Sequence, residues 1–155
     1  MTKPVIFNDF VSLELPGQWE DRSIYTFVAP EQMASSGLPT MAKTQGFRPN
    51  VVVTREPKGK VQRIDTYAKE QLAISQKQLP QLKVIEDKEH QLSGQPAVSR
   101  VFTFVAPPQN VVVQQLQTFV LHQDWIYTFT FSSLPDGFNE QRKSFDGILG
   151  SVKLK

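Results

Sequence analysis

The sequence predicts an α+β fold, an antiparallel β-sheet flanked by helices. Three observations lead there. Short segments of alternating or β-branched hydrophobicity recur along the chain, separated by turn residues. Two stretches switch to the three- and four-residue spacing of an amphipathic helix. The order is strands, a helix, four strands and a helix, and short turns between consecutive strands favour antiparallel pairing.

The elements follow in order. Val5–Phe7 and Val11–Leu15 flank the turn-like Asn8-Asp9 and read as a hairpin, closed by Pro16-Gly17. A third strand is expected over Ser23–Val28. Ala29–Pro49 holds Pro30, Gly37, Pro39, Gly46 and Pro49 without a clear period, so it reads as a long loop. Val51-Val52-Val53-Thr54 is a β-branched strand, and Pro57-Lys58-Gly59-Lys60 a turn. From Val61 to Leu79 the period is helical, with Ile64, Tyr67, Ala68, Leu72, Ser75 and Leu79 near one stripe and Pro80 as the stop. Strands follow at Lys83–Asp87, Ala97–Val105, Val111–His122 and Trp125–Phe131, with turns at Gly94-Gln95-Pro96 and Gln123-Asp124. Phe138, Phe145, Ile148, Leu149 and Val152 mark a closing helix, for which Asp136 is a candidate N-cap and Gly150 lies near the C-cap.

Composition narrows the function classes. The chain of 155 residues and 17.6 kDa is sized for one domain, residues 1–155. It has no cysteine, which excludes a disulfide framework, a thiolate metal site and a cysteine nucleophile. A net charge of +2 gives no strong pull toward nucleic acid. The first apolar run, Val5–Phe7, is far too short for a secretory signal, and no stretch approaches a membrane span. A cytoplasmic protein, not integral to a membrane, is therefore expected.

No catalytic constellation stands out. The Pro57–Lys60 turn lacks the second glycine and the Ser/Thr of a phosphate loop. His90 and His122 have no helical partner for a metal site, and His90 reads as an exposed loop histidine. Glu86, Asp87 and Glu89 alternate with Lys83 and Lys88, the pattern of a solvated strand edge. Arg48, Arg55, Lys58, Lys60 and Arg63 read as a solvated turn and helix start, since no base interleaves with the aromatic face of Trp125–Phe131. No catalytic residue, metal ligand or cofactor is expected.

The 16 glutamines are the informative residues. Gln115 and Gln117 sit mid-strand and share a face with Val113, Phe119 and Leu121. Amides there either face solvent or line a semi-apolar groove, hydrogen-bonding an incoming chain. Gln71, beside Leu72 and one turn before Ser75, is a second candidate of the same kind.

Several segments together resemble a known family. They are Leu15-Pro16-Gly17-Gln18-Trp19-Glu20-Asp21-Arg22-Ser23-Ile24, Asn50-Val51-Val52-Val53-Thr54-Arg55-Glu56, and Tyr67 with Gln71-Leu72 and Gln78-Leu79-Pro80. Gly94-Gln95-Pro96-Ala97 and Phe145-Asp146-Gly147-Ile148-Leu149-Gly150-Ser151 complete the set. In order and spacing across nearly the whole chain, this resembles the DcrB-like family, whose fold is related to the photosystem PsbP proteins. The resemblance implies a single DcrB-like domain with a PsbP-like α/β/α sandwich. Within the family, the chain is similar to the Eag chaperones of type VI secretion. That likeness implies a non-enzymatic cytosolic homodimer that needs no cofactor. Its partner would be the hydrophobic N-terminal region of a secreted effector. The groove it implies is lined by Ile24 and Thr26, by Val52, by Gln71, Ser75 and Leu79 on the helix, and by Val113 and Gln117 on the long strand, with Gln115 as the alternative to Gln117. Thr26 and Ser75 depart from the apolar residues expected there. The alternative is a non-enzymatic DcrB-like or PsbP-like scaffold at an envelope or membrane-associated complex.

Overall fold

The computed structural model describes the backbone of residues 2–7, 11–16, 24–29 and 47–155, and the side chains of 24–29 and 47–155. Strands β1 (Thr2–Phe7) and β2 (Val11–Pro16) pair antiparallel as a two-stranded sheet, with Phe7 opposite Val11. The hairpin turn at Asn8-Asp9 and residues 30–46 of the expected Ala29–Pro49 loop lie outside the described residues.

The main sheet has six strands: β3 (Ile24–Val28), β4 (Asn50–Pro57), β5 (Lys83–Leu92), β6 (Gln95–Ala106), β7 (Val111–His122) and β8 (Trp125–Ser133). Their spatial order is β3-β4-β8-β7-β6-β5, and every neighbouring pair is antiparallel. The three hairpins from β5 to β8 turn through Ser93-Gly94, Asn110 and Gln123, all in left-handed backbone. Gly94, at φ 78°, is the residue type that adopts this conformation without steric cost. The strand β5 runs past the expected end at Asp87 to Leu92, because Lys88-Glu89-His90-Gln91 on this outer strand offers no apolar alternation to read.

Alternation along each strand divides the side chains between two faces. Helix α1 (Ile64–Gln78) covers one face, lying over β6 and β7. Its Ile64, Tyr67 and Ala68 pack with Val98, Phe119 and Ile126, and the Tyr67 ring meets Phe119 edge-on at 5.6 Å. Helix α2 (Pro135–Gly150) covers the other, over β7 and β8. There Phe138, Phe145 and Leu149 bury against Val101, Leu116, Val120, Phe129 and Phe131. The result is the expected α+β fold, a sheet with one helix on each face.

Both helices begin differently from the sequence expectation. The N-cap of α2 is Leu134, with Pro135 in the first turn, and not Asp136. Proline there needs no N–H partner and presets the helical φ, so it displaces the start by two residues. Helix α1 starts at Ile64, where Arg63 bonds Asp65 (Nη2 to Oδ2 2.8 Å) across the first turn.

Candidate functional site

Residues opposite one another in a sheet share a face, so the register fixes what lies beside α1. Ile24 pairs with Thr54 and Thr26 with Val52, which pairs in turn with Thr130. Thr130 pairs with Gln117, and Ser132 with Gln115. Ile24, Thr26, Val52, Gln115 and Gln117 therefore share the sheet face on which α1 packs, as does Val113. All six strand residues singled out in the sequence lie on one sheet face; Thr26, Val52 and Gln117 share one cross-strand row and Gln115 lies on the next, while Ile24 and Val113 sit at opposite ends.

Helix α1 supplies one wall. Its first half is clamped to the sheet. The Tyr67 hydroxyl donates to Glu56 Oε1 on β4, and Arg100 Nη1 donates to the Ala68 carbonyl at 2.9 Å. Burial, and then the Glu56 carboxylate, push the Tyr67 phenol well above the usual tyrosine range. Beyond Ala68 the helix is less enclosed. Gln71, Leu72, Ser75 and Leu79 are half-buried along the sheet-facing stripe, and Ile74 is exposed. The helix end is fixed by the Val105 N–H, which donates to the Pro80 carbonyl at 2.9 Å.

The floor falls away from this wall toward β3. Val113 is buried, whereas Gln115, Gln117, Thr128, Thr130, Val52 and Thr54 are half-buried. At the far edge Thr26 is exposed and Ile24 is 64% exposed. Val113 thus lies under the floor and offers little of its surface. The two glutamines do not simply face water. Gln115 Nε2 donates to Ser132 Oγ at 2.9 Å, and Gln117 Nε2 donates to Thr130 Oγ1 at 3.2 Å. Each primary amide has two donor hydrogens and a carbonyl acceptor, so one cross-strand bond leaves further hydrogen-bonding capacity. Thr128 and Thr130 on β8, Val52 and Thr54 on β4 and Thr26 on β3 carry this face from the amides toward the sheet edge. The surface mixes methyl groups with hydrogen-bonding groups at fixed points. It carries no side chain among those named that titrates near neutral pH.

The charged residues are engaged elsewhere. Glu86 faces α2, where Arg142 grips it through two bonds of 2.9 and 2.8 Å and holds its carboxyl below the usual range. Asp87 faces α1 and reaches Arg100 Nη2 at 3.2 Å. The basic residues do not form a patch: Arg48 Nε donates to the Ala29 carbonyl, Arg55 lies 4.1 Å over Trp125, and Lys58 is 3.8 Å from Asp124. Among the described residues no cluster of three or more His, Asp or Glu gathers where an ion could be held.

Sequence reasoning missed two polar groups held inside the fold, one buried and one half-buried. Arg100 is 2% exposed and spans β6, α1 and β5. A lone arginine inside Ala97–Val105 was the available signal. His90 is not a loop residue; it lies on β5 opposite Ala97, with Nε2 2.6 Å from Ser99 Oγ. Ser99 Oγ is in turn 2.7 Å from Thr118 Oγ1, and both hydroxyls are buried. His90 and Ser99 border a cavity of about 210 Å³ beneath α2, shared with Arg142 and Asp146. The serine–histidine contact lacks the rest of a nucleophilic site. Ser99 lies mid-strand between two paired neighbours, so no backbone N–H groups converge on it as an oxyanion hole.

With the groove defined, the chain can be set beside known proteins. The family model described as DcrB matches residues 11–151. The chain belongs to the DcrB family. Among solved structures, PA94 of Pseudomonas aeruginosa, a protein of unknown function described as a candidate regulator, has a TM-score of 0.78 at 18% identity. That similarity covers 99% of this chain and 97% of PA94. LpqN of Mycobacterium tuberculosis, involved in cell envelope biogenesis, has a TM-score of 0.56 at 12% identity, over 99% of this chain and 90% of LpqN. Cyanobacterial PsbP (CyanoP) from Synechocystis sp. PCC 6803 has a TM-score of 0.46 at 12% identity, over 85% and 92%, an overlap too loose to build on. No curated protein matches in sequence. At these identities the DcrB chain shares a fold with PA94 and LpqN, and its chemistry must come from its own residues. Among the described residues no helix is long and apolar enough to cross a membrane.

Proposed function

We propose that this DcrB-family protein is a cytosolic chaperone for the hydrophobic N-terminal helices of type VI secretion effectors. It would hold them soluble and aid their loading on the secretion spike. The observation that carries this reading is the sheet face beside α1, a half-buried floor of threonine, glutamine and valine that sets methyl groups beside hydrogen-bonding amides and hydroxyls. A membrane-spanning helix of about 20 apolar residues cannot remain exposed in water. Its methyl-rich surface needs an apolar seat, and its small polar side chains need fixed donors and acceptors. The groove supplies both from Thr26, Val52, Gln71, Ser75, Leu79, Gln115 and Gln117, and binding requires no reaction and no cofactor. In this reading the protein acts as a homodimer.

Co-expression with the N-terminal segment of an adjacent effector tests it. The segment becomes soluble and co-purifies with the wild-type chain. Gln71→Ala combined with Gln117→Ala weakens the complex by roughly 1–3 kcal/mol, the worth of two hydrogen bonds, without unfolding the protein. A segment that stays insoluble with every adjacent effector rules the chaperone out. A second reading, a non-enzymatic scaffold at an envelope complex, draws support from the likeness to LpqN. Cell fractionation separates them, since the scaffold requires an envelope or periplasmic pool.

A further inference from the structure

One polar group lies on the α2 face of the sheet, opposite the groove. Register sets Lys88, Ser99 and Thr118 in one cross-strand row, with His90 two residues along β5 from Lys88. Ser99 and Thr118 are buried beside Leu116, Val120 and Phe129, where valine or alanine would pack with no hydrogen bond to satisfy. Their hydroxyls are 2.7 Å apart, and His90 Nε2 is 2.6 Å from Ser99 Oγ. Ser99 opens on the cavity of about 210 Å³ beneath α2, to which Leu92, Leu116 and Leu149 give apolar walls. Gly150 widens it, since a Cβ there would meet no atom within 4 Å and the backbone does not need glycine. At the rim, both Nη groups of Arg142 are held by Glu86, and Asp146 Oδ2 is 3.9 Å from Arg142 Nε. Lys88 is exposed and, among the described residues, enters no ion pair within 4 Å.

We infer that this cavity binds a small monocarboxylate with a short apolar chain. Lys88 and Ser99 hold the carboxylate, and Leu92, Leu116 and Leu149 take the chain. A few convergent polar groups at the side of an apolar chamber are the usual make-up of a small-molecule site. A carboxylate only accepts hydrogen bonds, and the Lys88 ammonium only donates them. Asp146 at the same rim repels a second negative charge, so dicarboxylates and phosphate fit worse. Size limits the chain. An apolar cavity of about 150 Å³ takes benzene, with six carbons, so about 210 Å³ takes roughly eight non-hydrogen atoms, the size of hexanoate.

His90 sets the state of Ser99. Its Nδ1 lies 3.2 Å from the Gln91 carbonyl, which only accepts, so Nδ1 carries a hydrogen. In the neutral ring Nε2 then accepts the Ser99 proton, and Ser99 has none to give a ligand. In the charged ring Nε2 donates to Ser99, and the Ser99 O–H is free to donate to the carboxylate. Thr118 donates to Ser99 in both states, which fills the two acceptor positions of the serine in the second. Binding therefore takes up a proton at His90. The charged groups around the ring are Lys88 and Glu89 on β5, Arg142 and Asp146 on α2, and Arg63 and Asp65 at the start of α1.

Amide NMR spectra of the full chain, titrated with straight-chain carboxylates from acetate to octanoate, test the site. The signals of Leu92, Ser99 and Gly150 move. Affinity rises about fourfold per methylene, the gain from one buried CH₂, up to hexanoate and no further at octanoate. Hexanol, with the same chain and no charge, leaves these signals in place. Lys88→Met weakens hexanoate binding about tenfold or more, the loss of a hydrogen bond to a charged group. Lys83→Met, which removes the same charge from the same strand outside the cavity, leaves it unchanged. Hexanoate binds more tightly at about pH 6 than at about pH 8, and His90→Gln removes that difference. The inference is overturned if no signal moves with any member of the series, or if Thr26 and Gln117 on the opposite face move instead. Affinity that ignores chain length, or that Lys88→Met leaves intact, also overturns it, and equal affinity at the two pH values removes His90 from the site.

Discussion

Replacing Arg100 tests how helix α1, the wall of the groove, is held. Two effects compete at this residue. Its guanidinium donates to the Ala68 carbonyl at 2.9 Å and lies 3.2 Å from Asp87, a carboxylate whose side chain is 44% exposed. Its aliphatic stem fills a space that leaves the residue 2% exposed. The ion pair contributes little net stability, because one partner is solvated and the other was desolvated to make it. The Ala68 carbonyl, inside the helix, keeps its helical partner if Arg100 is removed. The filled volume therefore outweighs the charge. Arg100→Ala opens a cavity and costs roughly 2–4 kcal/mol, in the range of buried large-to-small substitutions. Arg100→Met keeps most of the volume and abolishes the charge, and costs under about 1.5 kcal/mol. Urea titrations of both variants, with unchanged m-values, measure the difference. For a domain of this size the alanine variant melts roughly 4–16 °C lower. If methionine is as damaging as alanine, the charge holds the helix and this reasoning is wrong.

Other changes separate the parts of the fold. Phe145, 4% exposed and 4.7 Å from the Phe131 ring, loses roughly 3–5 kcal/mol on conversion to alanine, measured by the same titration. Ser99→Ala removes the link between His90 and Thr118, leaves a buried hydroxyl without its partner, and costs roughly 1–3 kcal/mol. Glu86, whose carboxyl Arg142 holds below its unfolded value, adds stability above the ordinary glutamate range and loses it as pH falls through the depressed folded value. Melting temperatures of Glu86→Gln should therefore fall less than wild type between neutral and acid pH, by a small margin because the pair is largely solvated.

Much of this arrangement was legible in the sequence because period and pairing carry it. Trp125 to Phe131 alternate plainly, and the short turns between β5 and β8 left antiparallel neighbours as the natural outcome. The helices were marked by their stripes, although Pro135 set the start of α2 two residues before the acidic cap that composition suggested. The site was half legible. Face-sharing placed Gln115 with Gln117, but not their partners: Ser132 and Thr130 come from the next strand, and only the register brings them within reach. Arg100 was passed over and His90 misjudged for the same reason. A polar residue reads as solvated until its partner, distant in the chain, is known, and Ala68 and Ser99 lie 32 and 9 residues away. The strand β5 was cut short because Lys88-Glu89-His90-Gln91 on the outer strand carries no apolar alternation.

The central claim is that apolar effector helices bind on the α1 face of the sheet, and site-specific photocrosslinking tests it most directly. A cysteine-linked benzophenone placed singly on the cysteine-free chain reads contact at Ser75, in the half-buried wall of the groove, and at Ile148, exposed on α2 behind the opposite face. In the co-purified complex, the account predicts cross-links to the effector segment from Ser75 and none from Ile148. Cross-links from Ile148 with none from Ser75 would contradict it.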